Sequence, residues 1–431
     1  MYIQHTYTSD YRLVKMMILS LLLLVLPVHS LASSNPPPPS TTTTTTTTTN
    51  NDNDNSMKNI QSVVVVGGTH GNEYTGVWCI KELEQPSVIQ RVTTRFPSLK
   101  ISTLMGNPRA HLLNKRFVDT DLNREFTSKK LQIGNTRTAE GHRAQELNQL
   151  LGPKSDPKTD CIVDLHSTTA NMGVTLIIPE RDAIMAQAAA YVLHKCSSNH
   201  PIIVRSSSSS SQQQRRGPST TKRITEKVRI VMHSIPNRGD RPNLSSVGKH
   251  GFTIEVGPVP QGVIRHDGVQ KTKQALEAFL EYLELRNQDK ASVLEQIQKW
   301  YPNGRVPCFR SATAKKPGEL SGKIRWPSSE HNQNFPAYMI HKSIQDQDFM
   351  LLKTGDPLFV TMEGDVIPYD GSHGEAVYLM FINEGGYYYA SSGTGIGVAV
   401  ETEYNLETAD FIDINDIVCA EGDDSDSCSL E

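Results

Sequence analysis

Apolar residues in the first half of the chain come in short runs without alternation. The earliest run, from Val63 to Val66, consists only of valine, which is typical of a strand buried on both faces. Comparable runs predict strands at residues 62–66, 100–105, 161–165, 174–178, 228–233 and 252–256. Helical spacing predicts helices at residues 74–85, 138–151, 183–195 and 268–285. Because strands alternate with helices, we expect an α/β sandwich around a mostly parallel or mixed sheet.

The pattern changes after about residue 286. Short apolar runs between Gly, Pro and Asp residues predict strands at residues 338–340, 357–362, 376–382 and 397–402. We therefore expect two folded domains. The first covers residues 58–290 and includes a low-complexity, Ser-rich insertion at residues 206–221; the second, at residues 291–420, is smaller and β-rich. An acidic tail follows at residues 421–431.

The N-terminal residues are predicted to lie outside both domains. Arg12 and Lys15 precede the apolar segment 16–28, which is short for a bilayer span but suits the central region of a secretory signal peptide. Small residues follow it, so residues 1–32 are predicted to be a cleavable leader, with a signal anchor or an organelle presequence as alternatives. The Pro, Thr and Asn residues of segment 33–57 predict a disordered tether.

The net charge and the cysteine pattern argue against several classes of partner and site. A formal net charge of −3 gives no reason to expect nucleic acid or an anionic membrane surface as a partner. The 6 cysteines are scattered without a CxxC pair, which argues against a zinc knuckle and against a dense disulfide framework. The chemistry must therefore come from other residue types.

A Gly-rich segment with a His-x-x-Glu pair, His70 and Glu73, directly follows the valine run. A turn after a buried parallel strand lies at the carboxyl edge of the sheet, where open α/β folds bind ligands. Imidazole and carboxylate both bind zinc, and a catalytic zinc site uses three protein ligands with one open position. The pair supplies two such ligands, although alone it could be a coincidence in a loop.

His166 is the candidate for the third ligand. It ends another apolar run and follows Glu73 much later in the chain, an arrangement that resembles the zinc carboxypeptidases. Asp164 stands two residues before His166 and could orient its imidazole through a hydrogen bond. With this third residue, coincidence becomes the weaker explanation of the His-x-x-Glu pair.

Hydrolysis of an amide at zinc also needs a carboxylate to move the proton of water, a cation to polarise the carbonyl, and groups that hold the substrate. Glu255 is the candidate base because it lies in an apolar strand, where a carboxylate is costly to bury. The alternative is a structural ion pair with an arginine. Arg116 and Arg124, with Asn123 between them, suit carboxylate recognition, although a solvated charged loop is the usual fate of such a segment.

Several segments together resemble the succinylglutamate desuccinylase/aspartoacylase family, which is related to the zinc carboxypeptidases. They occur in the family's order across nearly all of residues 58–389. They are GGTHGNEYTG (67–76), NPRA (107–110), DTDLNREF (119–126), RAQELNQLLGPK (143–154), DLHSTTANMGVTLI (164–177), IEVGPVPQGVIR (254–265), IHKSIQDQDF (340–349), GDPLF (355–359) and NEGGYYY (383–389).

The resemblance implies a fold and roles for particular residues. It implies a carboxypeptidase-like α/β/α domain with a smaller C-terminal β-rich domain that narrows the substrate channel. His70, Glu73 and His166 match the family's ligands for one zinc ion per chain. Glu255 matches the base that activates water, and Arg116 matches the arginine that polarises the scissile carbonyl.

The implied substrate is a small N-acyl-L-amino acid. Asn123 and Arg124 match the pair that binds its α-carboxylate, and Tyr387 matches a tyrosine that reaches the site from the β-rich domain. A peptidase of the carboxypeptidase type and a non-catalytic relative that only binds a ligand are the alternatives. The resemblance leaves the oligomeric state open, a homo-oligomer included.

Two positions depart from the aspartoacylases. Ser245 stands where they carry an arginine for the side-chain carboxylate of N-acetylaspartate, and Ser167 stands where they have asparagine. Arg238 or Arg241 could replace the missing arginine. The segment around Ser245 is more similar to relatives that deacylate N-acyl aromatic amino acids and mercapturates, so both substrate classes remain open.

The expected location of the protein depends on which signal is followed. The leader predicts the secretory pathway or the extracellular space, whereas the family's familiar members are cytosolic. Asn243 begins an N-glycosylation sequon close to the substrate segment, and a glycan there would obstruct the site.

Overall fold

The computed structural model describes residues 59–412, except residues 133, 135, 198–226, 330–331 and 389–394. The predicted leader, tether, Ser-rich insertion and acidic tail lie outside the described residues. None of the helices in the described ranges is long and apolar enough to cross a membrane.

The α-helices of the described chain are α1 (Tyr74–Leu83), α2 (Pro86–Arg95), α3 (Pro108–Leu112), α4 (Ala139–Leu151), α5 (Ala183–Ser197), α6 (His266–Gln288) and α7 (Lys290–Trp300). The strands of its first part are β1 (Ser62–Gly67), β2 (Lys100–Met105), β3 (Cys161–Ser167), β4 (Gly173–Pro179), β5 (Val228–His233), β6 (His250–Gly257) and β7 (Arg305–Ser311). The later strands are β8 (Lys323–Ile324), β9 (Ser328–Ser329), β10 (Asn332–Pro336), β11 (Tyr338–Ile340), β12 (Leu351–Lys353), β13 (Pro357–Thr361), β14 (Val366–Pro368), β15 (Ala376–Met380), β16 (Ile396–Asn405) and β17 (Phe411–Ile412).

One mixed sheet of 12 strands runs through the described part of the chain in the order β12-β15-β16-β7-β5-β4-β6-β3-β1-β2, with β8 and β17 also paired to β16. Strands β2, β1, β3 and β6 are parallel, β4 is antiparallel to β6, and β5 and β7 run parallel to β4. The carboxyl ends of β1, β3 and β6 therefore meet at one edge, next to the point where the strand direction reverses. Open α/β sheets bind ligands at such places.

Alternate valines of β1 face two different cores, which explains the run without alternation. Val63 and Val65 pack with residues of α1, α5 and α6, whereas Val64 and Val66 pack with residues of α4 on the other face. Helices thus cover both faces of this part of the sheet. The predicted α/β class with a three-layer arrangement is confirmed.

The C-terminal part of the chain is β-rich, as predicted, and has a core of its own. Apolar side chains of β11, β13, β15 and β16 pack around Trp326 in a separate cluster. Strands β11, β13 and β14 form a small antiparallel sheet. Strand β16 nevertheless pairs with β7, and β7 pairs with β5, so the large sheet passes without a break from the first predicted domain into the second.

The sequence pattern missed helix α2, for a physical reason. None of its residues is fully buried, and its apolar residues Val88 and Val92 are only partly covered. An exposed helix of this kind needs no continuous apolar stripe, so it gives little periodic signal. Pro86 at its first helical position marks where it begins.

Glu140 in the first turn of α4 fixes the loop that leads to the site. Its carboxylate is fully buried and accepts the backbone N–H groups of Val118 (2.7 Å), Asp119 (3.0 Å) and Thr120 (3.1 Å). It also accepts the side-chain amide of Asn107 at 3.0 Å. One buried carboxylate therefore satisfies three consecutive backbone donors of a partly buried loop.

Replacing Glu140 by Gln should lower the free energy of unfolding by about 1–3 kcal/mol, because an amide N–H group would then face buried donors. Urea denaturation checks this, with Glu146→Gln as the matched control. Glu146 lies on the same helix with 66% of its side chain exposed, so its replacement should change stability by no more than about 0.5 kcal/mol. Equal unfolding midpoints for the two variants would contradict the role given to Glu140.

Candidate active site

The turn after β1 brings His70 and Glu73 to the carboxyl edge of the sheet. Gly68 adopts a φ of +70°, which side chains with a Cβ rarely adopt. At Gly71 a Cβ atom would lie 2.2 Å from the backbone of α3, so the turn packs closely against that helix. Glu73 immediately precedes α1. The helix and the strand end thus hold both candidate ligands in place.

The three predicted metal ligands converge in the buried site. His70 Nδ1 lies 2.6 Å from Glu73 Oε1, and His166 Nδ1 lies 2.9 Å from Glu73 Oε2. The two Nδ1 atoms are 3.2 Å apart. The ligand atoms of these residues lie within 4.8 Å of one another, so the group could hold a metal ion.

The other ring nitrogen of each histidine meets a carboxylate. His70 Nε2 lies 3.1 Å from Asp121 Oδ1, and His166 Nε2 lies 2.8 Å from Asp164 Oδ2. Thr69 Oγ1 donates to the second oxygen of Asp164 at 2.6 Å. Because a carboxylate only accepts, each Nε2–H can donate to its carboxylate, and this contact would leave each Nδ1 lone pair available to a bound metal ion. The role predicted for Asp164 fits this contact, and Asp121 supplies the same support to His70.

This donor set fits zinc. Two imidazole nitrogens and one carboxylate are a recurring ligand set of catalytic zinc sites, which keep a fourth position open. Burial by itself would lower the pKa of His166, yet Asp164 and Glu73 raise it well above its ordinary value. Burial would likewise raise the pKa of Glu73, yet His70 and His166 lower it strongly. The site therefore stabilises positive charge.

Glu255 lies beside His166, on the neighbouring strand β6 and directly opposite it in the register. Its side chain is 8% exposed and lines the cavity of the site. Among the described residues no arginine forms an ion pair with it, which removes the structural alternative considered from the sequence. Burial, and next the charge of Glu73, raise the pKa of Glu255 well above its ordinary value. A raised pKa suits a carboxylate that takes and returns a proton.

Arg116 is buried among the carboxylates. Its Nη1 donates to Glu73 Oε1 at 3.2 Å, and its Nη2 donates to Asp121 Oδ2 at 3.2 Å. Burial would lower its pKa, but Asp121 and then Glu73 raise it, so the guanidinium stays charged. Arg116 thus connects Glu73, a candidate metal ligand, with Asp121, the carboxylate that contacts His70. It also lines the same cavity as Glu255.

Asn123 and Arg124 follow in a short 3-10 turn and also line the cavity. Asn123 is committed to the protein: its Oδ1 accepts the backbone N–H of Leu244 at 2.9 Å, and its Nδ2 donates to Asp164 at 3.4 Å. Arg124 donates Nη1 to the backbone carbonyl of Asn123 at 3.0 Å. The structure brings both residues to the site, where Arg124 is the better placed of the two to bind an anion.

The β-rich part contributes Tyr387 from the turn Gly385–Tyr388. The Arg116 guanidinium lies 5.6 Å from the centre of its ring. Burial raises the pKa of Tyr387 to about 12, so its phenol keeps its proton. The predicted approach of this tyrosine to the site from the second domain agrees with the geometry.

Glu384 is a site residue that sequence reasoning missed. It is 3% exposed and accepts the backbone N–H of Thr169 at 3.0 Å and the hydroxyl of Thr168, both in the segment after β3. Its Oε1 lies 3.7 Å from Arg116 Nη1. An acidic residue inside the NEGGYYY segment was the available signal, but nothing in the sequence indicates that it turns inward.

A cavity of about 250 Å³ joins these side chains. Its lining includes all eight predicted site residues, which are His70, Glu73, Arg116, Asn123, Arg124, His166, Glu255 and Tyr387. It extends to the segment between β5 and β6, where Arg238, Arg241 and Ser245 contribute. The volume suits a small molecule.

Comparison with known proteins agrees with the motifs. Residues 59–283 match the model of the succinylglutamate desuccinylase/aspartoacylase catalytic domain, and residues 319–394 match the AstE/AspA barrel-sandwich hybrid domain. The chain is 35% identical over 333 residues to a probable aspartoacylase from Nostoc sp. The matched region covers 77% of this chain and 94% of that protein.

Two further relatives carry different names. The chain is 36% identical over 330 residues to the N-acyl-aromatic-L-amino acid amidohydrolase (carboxylate-forming) A of Danio rerio, covering 76% of this chain and 85% of that one. The crystal structure of murine aminoacylase 3 matches with a TM-score of 0.61 at 26% identity, over 80% of this chain and 97% of that one. The chain therefore belongs to the succinylglutamate desuccinylase/aspartoacylase family, as its motifs predicted.

Proposed function

We propose that this protein is a zinc-dependent amidohydrolase that converts an N-acyl-L-amino acid and water into a carboxylate and a free amino acid. The observation that carries the proposal is the buried Glu255 carboxylate, which has no ion-pair partner in the described chain. It stands opposite His166 in the sheet and lines one cavity with His70 and Glu73. The names of the relatives, aspartoacylase and N-acyl-aromatic-L-amino acid amidohydrolase, support this reaction class.

Each step of the reaction has a residue to perform it. His70, Glu73 and His166 would hold zinc, which supplies Lewis acidity that polarises a carbonyl and makes water more acidic. Glu255 takes a proton from the attacking water and returns it to the amide nitrogen as the carbon–nitrogen bond breaks. The water oxygen ends in the new carboxylate, and the nitrogen leaves as the amine of the amino acid.

Two cations assist from the walls of the cavity. Arg116, fixed by Glu73 and Asp121, places a charged guanidinium where negative charge develops on the carbonyl oxygen. Arg124 offers a planar fork to the α-carboxylate of the substrate. Tyr387 stands over Arg116 and lines the cavity from the β-rich side. Small N-acyl amino acids therefore fit this site better than long peptides.

Glu255→Gln should lower kcat about 10²–10⁴-fold, because the amide cannot accept the proton of water. The measurement is hydrolysis of N-acetylaspartate, N-acetyltyrosine and an S-substituted N-acetylcysteine by the zinc-loaded, full-length protein. Glu295→Gln, an exposed glutamate on α7, is the control. Turnover that survives in Glu255→Gln would refute its role as base, whereas an inactive wild type would refute the substrate class.

Removal of zinc with a chelator should abolish hydrolysis, and added zinc should restore it. Elemental analysis should find one zinc per chain in the wild type and in Glu255→Gln, but much less in His70→Ala and in His166→Ala. His142→Ala is the control, since that histidine is exposed on α4. Full zinc content in the variants of His70 and His166 would place the metal elsewhere.

Asp164→Asn should weaken zinc binding about 10–100-fold, because His166 loses the carboxylate that orients its ring. Competition with a fluorescent zinc chelator measures the affinity without relying on activity. Asp156→Asn, at an exposed position, should bind zinc as the wild type does. An unchanged affinity in Asp164→Asn would show that the contact is not needed to orient the ligand.

A further inference from the structure

The segment 340–349, one of those that resemble the family, contributes no residue to the reaction steps, yet it carries a buried carboxylate. This residue, Asp348, is 8% exposed. Among the described residues no cation forms an ion pair with it. A carboxylate is costly to bury unless its charge is compensated, so the hydrogen bonds of Asp348 must supply that compensation.

Two backbone N–H groups from different segments bind the carboxylate of Asp348. Its Oδ2 accepts the N–H of Asn171 at 2.9 Å, and its Oδ1 accepts the N–H of Ile382 at 3.1 Å. Asn171 lies between β3 and β4, whereas Ile382 follows β15. Burial raises the pKa of Asp348 to about 6, although these hydrogen bonds oppose the shift. At neutral pH the group is therefore ionised, and both of its oxygens accept.

The backbone around Asp348 is strained at three positions. Asp346, Phe349 and Phe381 have φ values of +56°, +61° and +56°. Residues with a bulky side chain rarely adopt such angles, and they keep them only where surrounding contacts hold the chain. Phe381 directly precedes Ile382, so the hydrogen bond from Ile382 to Asp348 acts next to one of the strained positions.

Phe381 connects this hydrogen bond with the active-site cavity. Its side chain lines the cavity, and the centre of its ring lies 5.5 Å from that of Tyr387. The Tyr387 ring in turn lies 5.6 Å from the guanidinium of Arg116. A shift of the backbone at Phe381 would therefore displace the aromatic rings that stand beside Arg116.

The other end of the same turn has its own attachment to the segment between β3 and β4. The hydroxyl of Thr169 accepts the backbone N–H of Gly385 at 2.8 Å and donates to the carbonyl of Asn383 at 2.5 Å. Asp348 thus holds the beginning of the turn, and Thr169 holds its later part. Loss of the Asp348 contact should release the beginning of the turn while the rest of it stays in place.

We propose that Asp348 is a positioning residue that keeps Phe381 and Tyr387 in place beside Arg116. The inference rests on the proposed deacylation. Asp348 lies outside the lining of the cavity, so it acts through the backbone of Ile382 and not on the substrate. Because catalysis depends on the geometry of the groups around the reacting atoms, a small displacement of these rings should slow the reaction.

Asp348→Asn should lower kcat/KM about 10–100-fold for the N-acyl amino acid that the zinc-loaded, full-length wild type hydrolyses best. The amide keeps one acceptor but turns a donor toward the other N–H. The zinc content should equal that of the wild type. Asp348→Glu, which restores both acceptor oxygens, should recover part of the loss. Asp346→Asn is the control: this side chain is exposed in the same segment, and asparagine tolerates its positive φ.

A double-mutant cycle separates positioning from a general effect on stability. Tyr387→Ala should lower kcat/KM by itself, and Asp348→Asn should then lower it by no more than about 3-fold in that background, since independent effects would multiply. If Asp348→Asn does not fold, Asp348→Glu takes its place in the cycle.

Hydrogen exchange followed by mass spectrometry tests the contact without activity. Asp348→Asn should exchange faster at residues 168–172 and 381–388 and at the wild-type rate in the other strands and helices, because the release is local. Exchange at the wild-type rate in both segments would contradict the contact.

Two kinetic results would overturn the role of Asp348 while deacylation stands. One is a kcat/KM of Asp348→Asn equal to those of the wild type and Asp346→Asn. The other is a loss of the same size in the Tyr387→Ala background, which would mean that Asp348 does not act through that ring. A wild type that hydrolyses none of the compounds would instead refute the proposed function, and the positioning role with it.

Discussion

Buried negative charge at the carboxyl edge of the sheet is the constraint on which the site depends. The buried carboxylates there are Glu73, Asp121, Asp164, Glu255 and Glu384. Arg116 brings one positive charge among them and contacts Glu73 and Asp121 directly. Such a concentration of charge is costly to remove from water unless it is paired. A divalent cation held by Glu73 and the two imidazoles would supply part of the missing compensation.

The same charge network explains why the β-rich part belongs to the site. Glu384 accepts hydrogen bonds from the segment after β3, which carries His166, and it also faces Arg116. Tyr387 lies over that arginine from the same turn. The second part of the chain therefore completes the wall of the cavity and contributes a carboxylate that faces Arg116. Strand pairing from β5 through β7 to β16 connects the two parts through one sheet.

Much of this site could be predicted from the sequence, because the carboxyl ends of neighbouring parallel strands lie at the same edge of a sheet. The apolar runs before His70 and His166 and around Glu255 put all three at one edge, and the register of β3 with β6 agrees. Strand β2 and strand β5 were predicted with the bounds that the structure has. In these segments local pattern and tertiary environment point to the same structure.

Other features depend on contacts that no local pattern records. The pairing of Asp121 with His70 joins segments far apart in sequence, and the inward turn of Glu384 depends on Thr168 and Thr169 from another domain. Helix α2 was not predicted because none of its residues is buried, so it has no apolar stripe that the sequence would show.

The most direct test of the central claim is X-ray absorption spectroscopy of the zinc-loaded, full-length protein. The account predicts a first shell of nitrogen and oxygen atoms at about 2.0–2.2 Å, with the outer scattering of two imidazole rings. A sulfur ligand at about 2.3 Å, or a shell without imidazole, would contradict it. Either result would mean that His70, Glu73 and His166 are not the metal site around which the fold is arranged.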